Sequence, residues 1–161
     1  MRLVDEVAAD LDGLSQLRAL IASGRKAGIL EALDFDFIEV EAGRAVFAGT
    51  PGDHAYNPIG SVHGGYAATL LDSACGCAAH SRLTASQAFT TLELKMAYHK
   101  RITKDTGLLR AEGNLLSFGG HSGNSVGGWH KIETAAVKIN RGNEVPGIAE
   151  SAGCVLHPLD F

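Results

Sequence analysis

Between Asp53 and Arg82 the chain carries one formally charged side chain, Asp72. From Gly64-Gly65 onward this interval is apolar nearly all round: Tyr66, Ala67, Ala68, Leu70, Leu71, Ala74, Cys75, Cys77, Ala78 and Ala79. A helix over such a run has no polar face to offer water and must be covered on most sides. Whatever else the chain forms therefore has to wrap this segment. With 161 residues there is room for one domain of ordinary size, so the cover must come from the same domain. At that length a folded chain buries roughly 68–70% of the surface its unfolded form exposes, enough for a core without disulfide or metal staples.

The flanking segments supply the cover. Leu11 to Ala22 places Leu11, Leu14, Leu17, Leu20 and Ile21 on one face of a helix, and a shorter helical piece runs from about Lys26 to Leu33. Phe35 to Val40 and Arg44 to Thr50 flank the turn-like Glu41-Ala42-Gly43 and predict a hairpin. Beyond the helix, Thr91 to His99 alternates, with Leu92, Leu94, Met96 and Tyr98 on one face and Thr91, Glu93, Lys95, Ala97 and His99 on the wet one. Leu108 to Phe118 continues as a strand, and Ile132 to Ile139 and Ile148 to Leu156 can form two more. No repeat or linker divides the chain. The order predicts a single α+β domain over 1–161, an antiparallel sheet wrapped around one long central helix, with an N-terminal helical extension over about 1–33.

Composition removes several function classes. Fourteen Lys and Arg against eighteen Asp and Glu leave a net charge of −4 with no basic block, which argues against nucleic acid or an anionic membrane as partner. Three cysteines, two of them spaced C-x-C, offer neither a disulfide framework nor a zinc-site spacing, and a reducing cytoplasm is expected. Residues 1–13 carry four acidic side chains and lack the pattern of a secretory signal.

Asp72 sits about two turns inside the apolar helix. A buried carboxylate without a partner costs several kcal/mol, so it either faces solvent or a neighbouring subunit, or it serves as base or nucleophile. Gly64 and Gly65 stand where the free N–H groups of the first helical turn can hold developing negative charge, although two glycines also permit a tight turn and nothing more. His63 precedes them and Asn57 lies six residues before it, in Asn57-Pro58-Ile59-Gly60-Ser61-Val62-His63-Gly64-Gly65. The run N-x5-H-G-G, with Asp72 nine residues after the histidine and Thr91-Leu92-Glu93-Leu94 in the next strand, resembles the PaaI-like acyl-CoA thioesterases of the hotdog fold.

The resemblance extends from about Ala27 to Phe118 and returns at Cys154-Val155-Leu156-His157-Pro158-Leu159. The segment of about 119–144 departs from the family pattern with its many glycines; His121 and His130 there are expected on the surface. The resemblance implies hydrolysis of an acyl-CoA to acid and CoA, with Asp72 as general base or nucleophile and the Gly64 N–H polarising the carbonyl. It further implies that Gly65 is the neighbour in the same turn, that His63 steadies the loop and assists the leaving thiolate, and that Asn57 orients water or thioester. It assigns a hydroxyl to Thr91 where the loop after the helix is one residue longer than usual in the family, with Thr90 as the fallback. It implies a homodimer or homotetramer with sites shared between subunits, and neither metal nor redox cofactor. Two other functions share parts of the pattern: a hotdog hydratase or dehydratase, and an acyl-CoA binding module without turnover.

Overall fold

The computed structural model describes residues 3–85, 87–98, 100–117, 132–135, 140–141 and 151–160. Three short helices come first, α1 (Leu3–Ala8), α2 (Gly13–Ser23) and α3 (Gly28–Ala32). Asp12 caps α2 by accepting the Ser15 N–H at 2.9 Å, and Gly24 ends it in the left-handed region at φ 67°. A hairpin follows, β1 (Phe35–Glu41) and β2 (Arg44–Gly49), turned at Gly43 with φ 80°. The central helix α4 (Gly64–His80) is followed by β3 (Gln87–Ala97), β4 (Leu109–Ser117), β5 (Ile132–Ala135), β6 (Asn140–Arg141) and β7 (Ser151–Asp160).

The strands form one seven-stranded sheet with pairing order β1-β2-β4-β5-β7-β3, with β6 paired to β4. All pairings are antiparallel. The α4 helix packs against β1, β2, β3 and β4. Tyr66, Ala67, Leu70, Leu71, Ala74, Cys75, Ala78 and Ala79 are buried, as the apolar run requires. Phe35, Phe47 and Leu109 close over them from the sheet. The approach is tightest at Gly113 of β4, where an added Cβ would stand 2.3 Å from the Ala74 carbonyl oxygen.

Residues 3–8 form a helix inside the expected N-terminal helical extension. One feature departs from what the sequence predicts. In β3 the pairing with β7 shifts between Thr91 and Glu93. Strict alternation puts Thr91 on the wet face with Glu93. The extra residue of the bulge changes the phase, so that Phe89 and Thr91 turn toward α4 while Leu94 and Met96 still pack on the core. Of the two expected late strands, one covers 132–135 and the other 151–160; His121, His130 and most of 119–144 lie outside the described residues.

Candidate active site

The loop before α4 is held at several points. The His63 N–H donates to the Ala55 carbonyl at 2.7 Å, and the Val62 N–H donates to the Ile102 carbonyl at 3.1 Å. Within the loop, Asn57 Oδ1 accepts the N–H groups of Ile59 and Ser61, and its Nδ2 donates to Ser61 Oγ at 2.9 Å. Asn57 thus builds the loop that delivers His63, a role local in sequence and of the kind short amide side chains favour.

His63 is the N-cap of α4. Its Nδ1 accepts the Gly65 N–H at 2.8 Å, which satisfies one of the helix's orphan donors and, in the neutral ring, leaves the proton on Nε2. The two glycines therefore differ. Gly65 spends its N–H on the cap, while no hydrogen bond from the Gly64 N–H is seen among the described residues. Tyr98, which sequence reasoning placed only on an apolar strand face, covers this turn: its hydroxyl donates to the Gly64 carbonyl at 3.0 Å. Asn57, His63, Gly64, Gly65 and Tyr98 all border one cavity of 580 Å³, with Lys100 and Arg101 at its rim.

Asp72 opens elsewhere. It is half-buried, accepts the Thr91 hydroxyl at 3.2 Å, and lies with Thr91 in a second cavity of 380 Å³. Thr90 is exposed and outside that lining. The remaining walls are almost wholly apolar, from α1, α2, α3, β1, β2 and β3. Cys77 is among them, its thiol pushed up to about 12 by burial and then by the nearby Asp72 charge, so it stays protonated. Within one chain the carboxylate and the helix N-terminus therefore face different cavities, eight residues and roughly 12 Å apart along α4. No group of three or more His, Cys, Asp or Glu among the described residues is placed to hold a metal ion, and no described helix is long and apolar enough to cross a membrane.

Residues 59–125 match the model of the thioesterase superfamily. That span contains His63, both glycines, Asp72 and Thr91, and it ends inside the glycine-rich stretch. No curated protein sequence matches the chain significantly. Among solved structures, a thioesterase from Haemophilus influenzae superposes with TM-score 0.70 at 12% identity, covering 91% of this chain and 90% of its own. The PaaI protein of the Escherichia coli phenylacetic acid degradation operon gives 0.64 at 18%, covering 86% and 88%. A conserved protein of Pseudomonas aeruginosa gives 0.66 at 20%, covering 83% and 95%.

The fold is the hotdog fold, and the stretch 59–125 within it is similar to the thioesterase superfamily. The seven strands are the wrapping sheet of that fold, α4 is its central helix, and thioester hydrolysis is the class of chemistry the match supports. The helices α1–α3 precede the first strand of the sheet in the chain.

Proposed function

We propose that the protein hydrolyses acyl-CoA thioesters at a site built from two copies of the chain. The observation that carries this reading is the separation of the two halves of the motif: Asp72 with Thr91 in one cavity, the His63-Gly64-Gly65 turn in another. A partner brings its own turn to the first chain's carboxylate. The surface for this is β3, the last strand of the sheet, whose outer edge pairs with no described strand. An eleven-residue edge of unpaired backbone groups is a template for a second copy, and antiparallel pairing there continues the sheet across a homodimer, two of which can form a homotetramer.

In the shared site Asp72, held by the Thr91 hydroxyl, takes a proton from water as the oxygen attacks the thioester carbonyl. The negative charge that develops on the carbonyl oxygen falls to the partner's Gly64 N–H at the positive end of α4, the donor left free by the cap. Collapse of the tetrahedral species breaks the carbon–sulfur bond, and the thiolate receives its proton from the now neutral Asp72 carboxyl, while the His63 Nε2–H can donate a hydrogen bond to the departing sulfur. Direct attack by Asp72 through an anhydride is the other form of the same assignment. Coenzyme A as the thiol is supported by Lys100 and Arg101, which border the cavity at the turn and have no ion-pair partner among the described residues; Arg101 donates to the Gly60 carbonyl at 2.6 Å and keeps further N–H groups that can meet phosphate. A cytoplasmic location fits such a substrate and the free thiol of Cys77.

The test is Asp72→Ala, assayed by release of free CoA thiol from a panel of acyl-CoA substrates. The variant should lose at least about a hundredfold in kcat with an unchanged melting temperature. A folded variant that turns over like the wild type removes Asp72 from the chemistry. Acyl-CoA consumption without thiol release points to a hydratase, and tight binding without any turnover to a binding module.

A further inference from the structure

The cavity at Asp72 has a direction. The α4 residues that border it, Asp72, Ser73, Gly76, Cys77 and His80, follow the i, i+4, i+8 spacing of a single helix face, so the space runs lengthwise along the helix. The β3 strand runs beside it in the opposite sense. Thr91 meets Asp72 at one end, and the Phe89 ring lies 3.1 Å from where a Gly76 Cβ would stand and 6.2 Å, between ring centres, from His80. One end thus carries the carboxylate and the other His80.

The far end is closed by the N-terminal extension. His80 Nε2 and Gln16 Oε1 lie 2.8 Å apart, and Gln16 is only 2% exposed. The Gly13 N–H donates to the Leu83 carbonyl at 2.9 Å, and a Cβ on Gly13 would stand 1.8 Å from the His80 carbonyl oxygen, so backbone rests on backbone. These contacts lock the start of α2 onto the end of α4. A second depression of 280 Å³ lies behind, and Leu20, Leu30 and Phe37 border both spaces as the partition between them.

We propose that this cavity measures the acyl chain: the protein takes linear acyl groups of medium length, and the N-terminal helices set the limit. The inference rests on the proposed role of Asp72, which places the carbonyl at that end. From Asp72 to His80 the helix advances roughly 12 Å. At the ~1.2 Å per bond of an extended chain, that accommodates about ten atoms. A volume of 380 Å³ with almost entirely apolar walls suits such a chain. His80 and Gln16 satisfy each other and form the stop, while Leu20 is the wall whose removal lengthens the space.

The test is a chain-length profile on the full protein, from butyryl- to hexadecanoyl-CoA with phenylacetyl-CoA alongside, for the wild type, Cys77→Trp and Leu20→Ala. In parallel, calorimetry measures binding of the matching S-alkyl-CoA thioethers, which cannot be hydrolysed. Wild-type kcat/KM should rise about fourfold per methylene up to roughly eight to ten carbons and fall beyond. Cys77→Trp fills the middle of the run and should lower the decanoyl to butyryl ratio at least about thirtyfold, while Leu20→Ala, which joins the two spaces, should move the maximum to longer chains. A profile flat in length, a phenylacetyl preference over every linear chain, or two folded variants that leave the maximum in place overturns the ruler and leaves the hydrolase reading standing. If the wild type hydrolyses none of the substrates, the hydrolase reading fails by itself. The thioether affinities then decide: the same rise and fall supports the cavity's role, and affinity independent of chain length overturns it. Should Cys77→Trp fail to fold, Leu20→Ala decides alone: a maximum moved to longer chains supports the ruler, and an unmoved one overturns it.

Discussion

Tyr66, on the first turn of α4, is a residue whose polar atom works against its position. It is 3% exposed, its ring sits edge-on to Phe35 at 4.7 Å, and its buried hydroxyl has no hydrogen-bond partner among the described residues. Burial holds its phenol protonated, with the pKa pushed up to about 12. Because an unsatisfied hydroxyl has lost its water for nothing, Tyr66→Phe should stabilise the fold by about 1 kcal/mol, visible as a higher urea midpoint at unchanged slope. A second expectation concerns Glu112 on β4. Its carboxylate accepts from the Arg44 guanidinium at 2.9 Å, which holds its pKa below the ordinary value of 4.5. A lowered folded pKa means stability that is present above that value and lost as pH falls through the folded one. Thermal melts between about pH 7 and pH 3 should therefore show a shallower acid loss for Glu112→Gln than for the wild type, by no more than about 1 kcal/mol for a pair this exposed. Equal acid limbs would show that the pair contributes nothing.

Among the elements, α4 governs the rest, and Gly113 is where the sheet comes closest to it. A methyl group there would overlap the Ala74 carbonyl and the Cys75 N–H, both backbone atoms that no side-chain rotation can move. Gly113→Ala should therefore cost about 1–3 kcal/mol and lower the melting temperature, and melting as in the wild type would mean that the helix can shift on the sheet freely. The helix and the hairpin were legible in the sequence because their signals are local: an apolar run with one charge, and two alternating segments around a glycine turn. The facing of Thr91 was not. A bulge is a mismatch between two strands, and the partner of β3 lies some sixty residues later in the chain, so alternation read along β3 alone keeps the wrong phase.

For the whole molecule the decisive question is whether one chain suffices. If the site is shared, dilution to monomers should abolish thioesterase activity. An inactive Asp72→Ala subunit mixed with an inactive Gly64→Pro subunit should recover roughly a quarter of the wild-type rate under random exchange, since half the dimers are mixed and each then has one intact site. Proline is tolerated at the first position of a helix and removes the N–H, but the Tyr98 ring, 3.1 Å from the new Cβ, must give way. Circular dichroism and sedimentation of Gly64→Pro come first. An active monomer, with no rescue on mixing, would place both groups at one site within a single chain.

Read alone, the sequence determined that a central helix must be wrapped, that the motif from Asn57 to Asp72 straddles its start, and that the pattern resembles that of the hotdog thioesterases. Each of these is written in contiguous residues, where spacing along the chain is spacing along an element. The tertiary structure alone decided that the motif opens into two cavities on the same helix, that Thr91 and not Thr90 reaches Asp72, and that α2 closes the space beyond it. Cavities and bulges belong to pairs of elements far apart in the chain, and the interval between Asp72 and Gly64 becomes a separation only when a helix fixes the rise of its residues and surrounding strands decide which side is open.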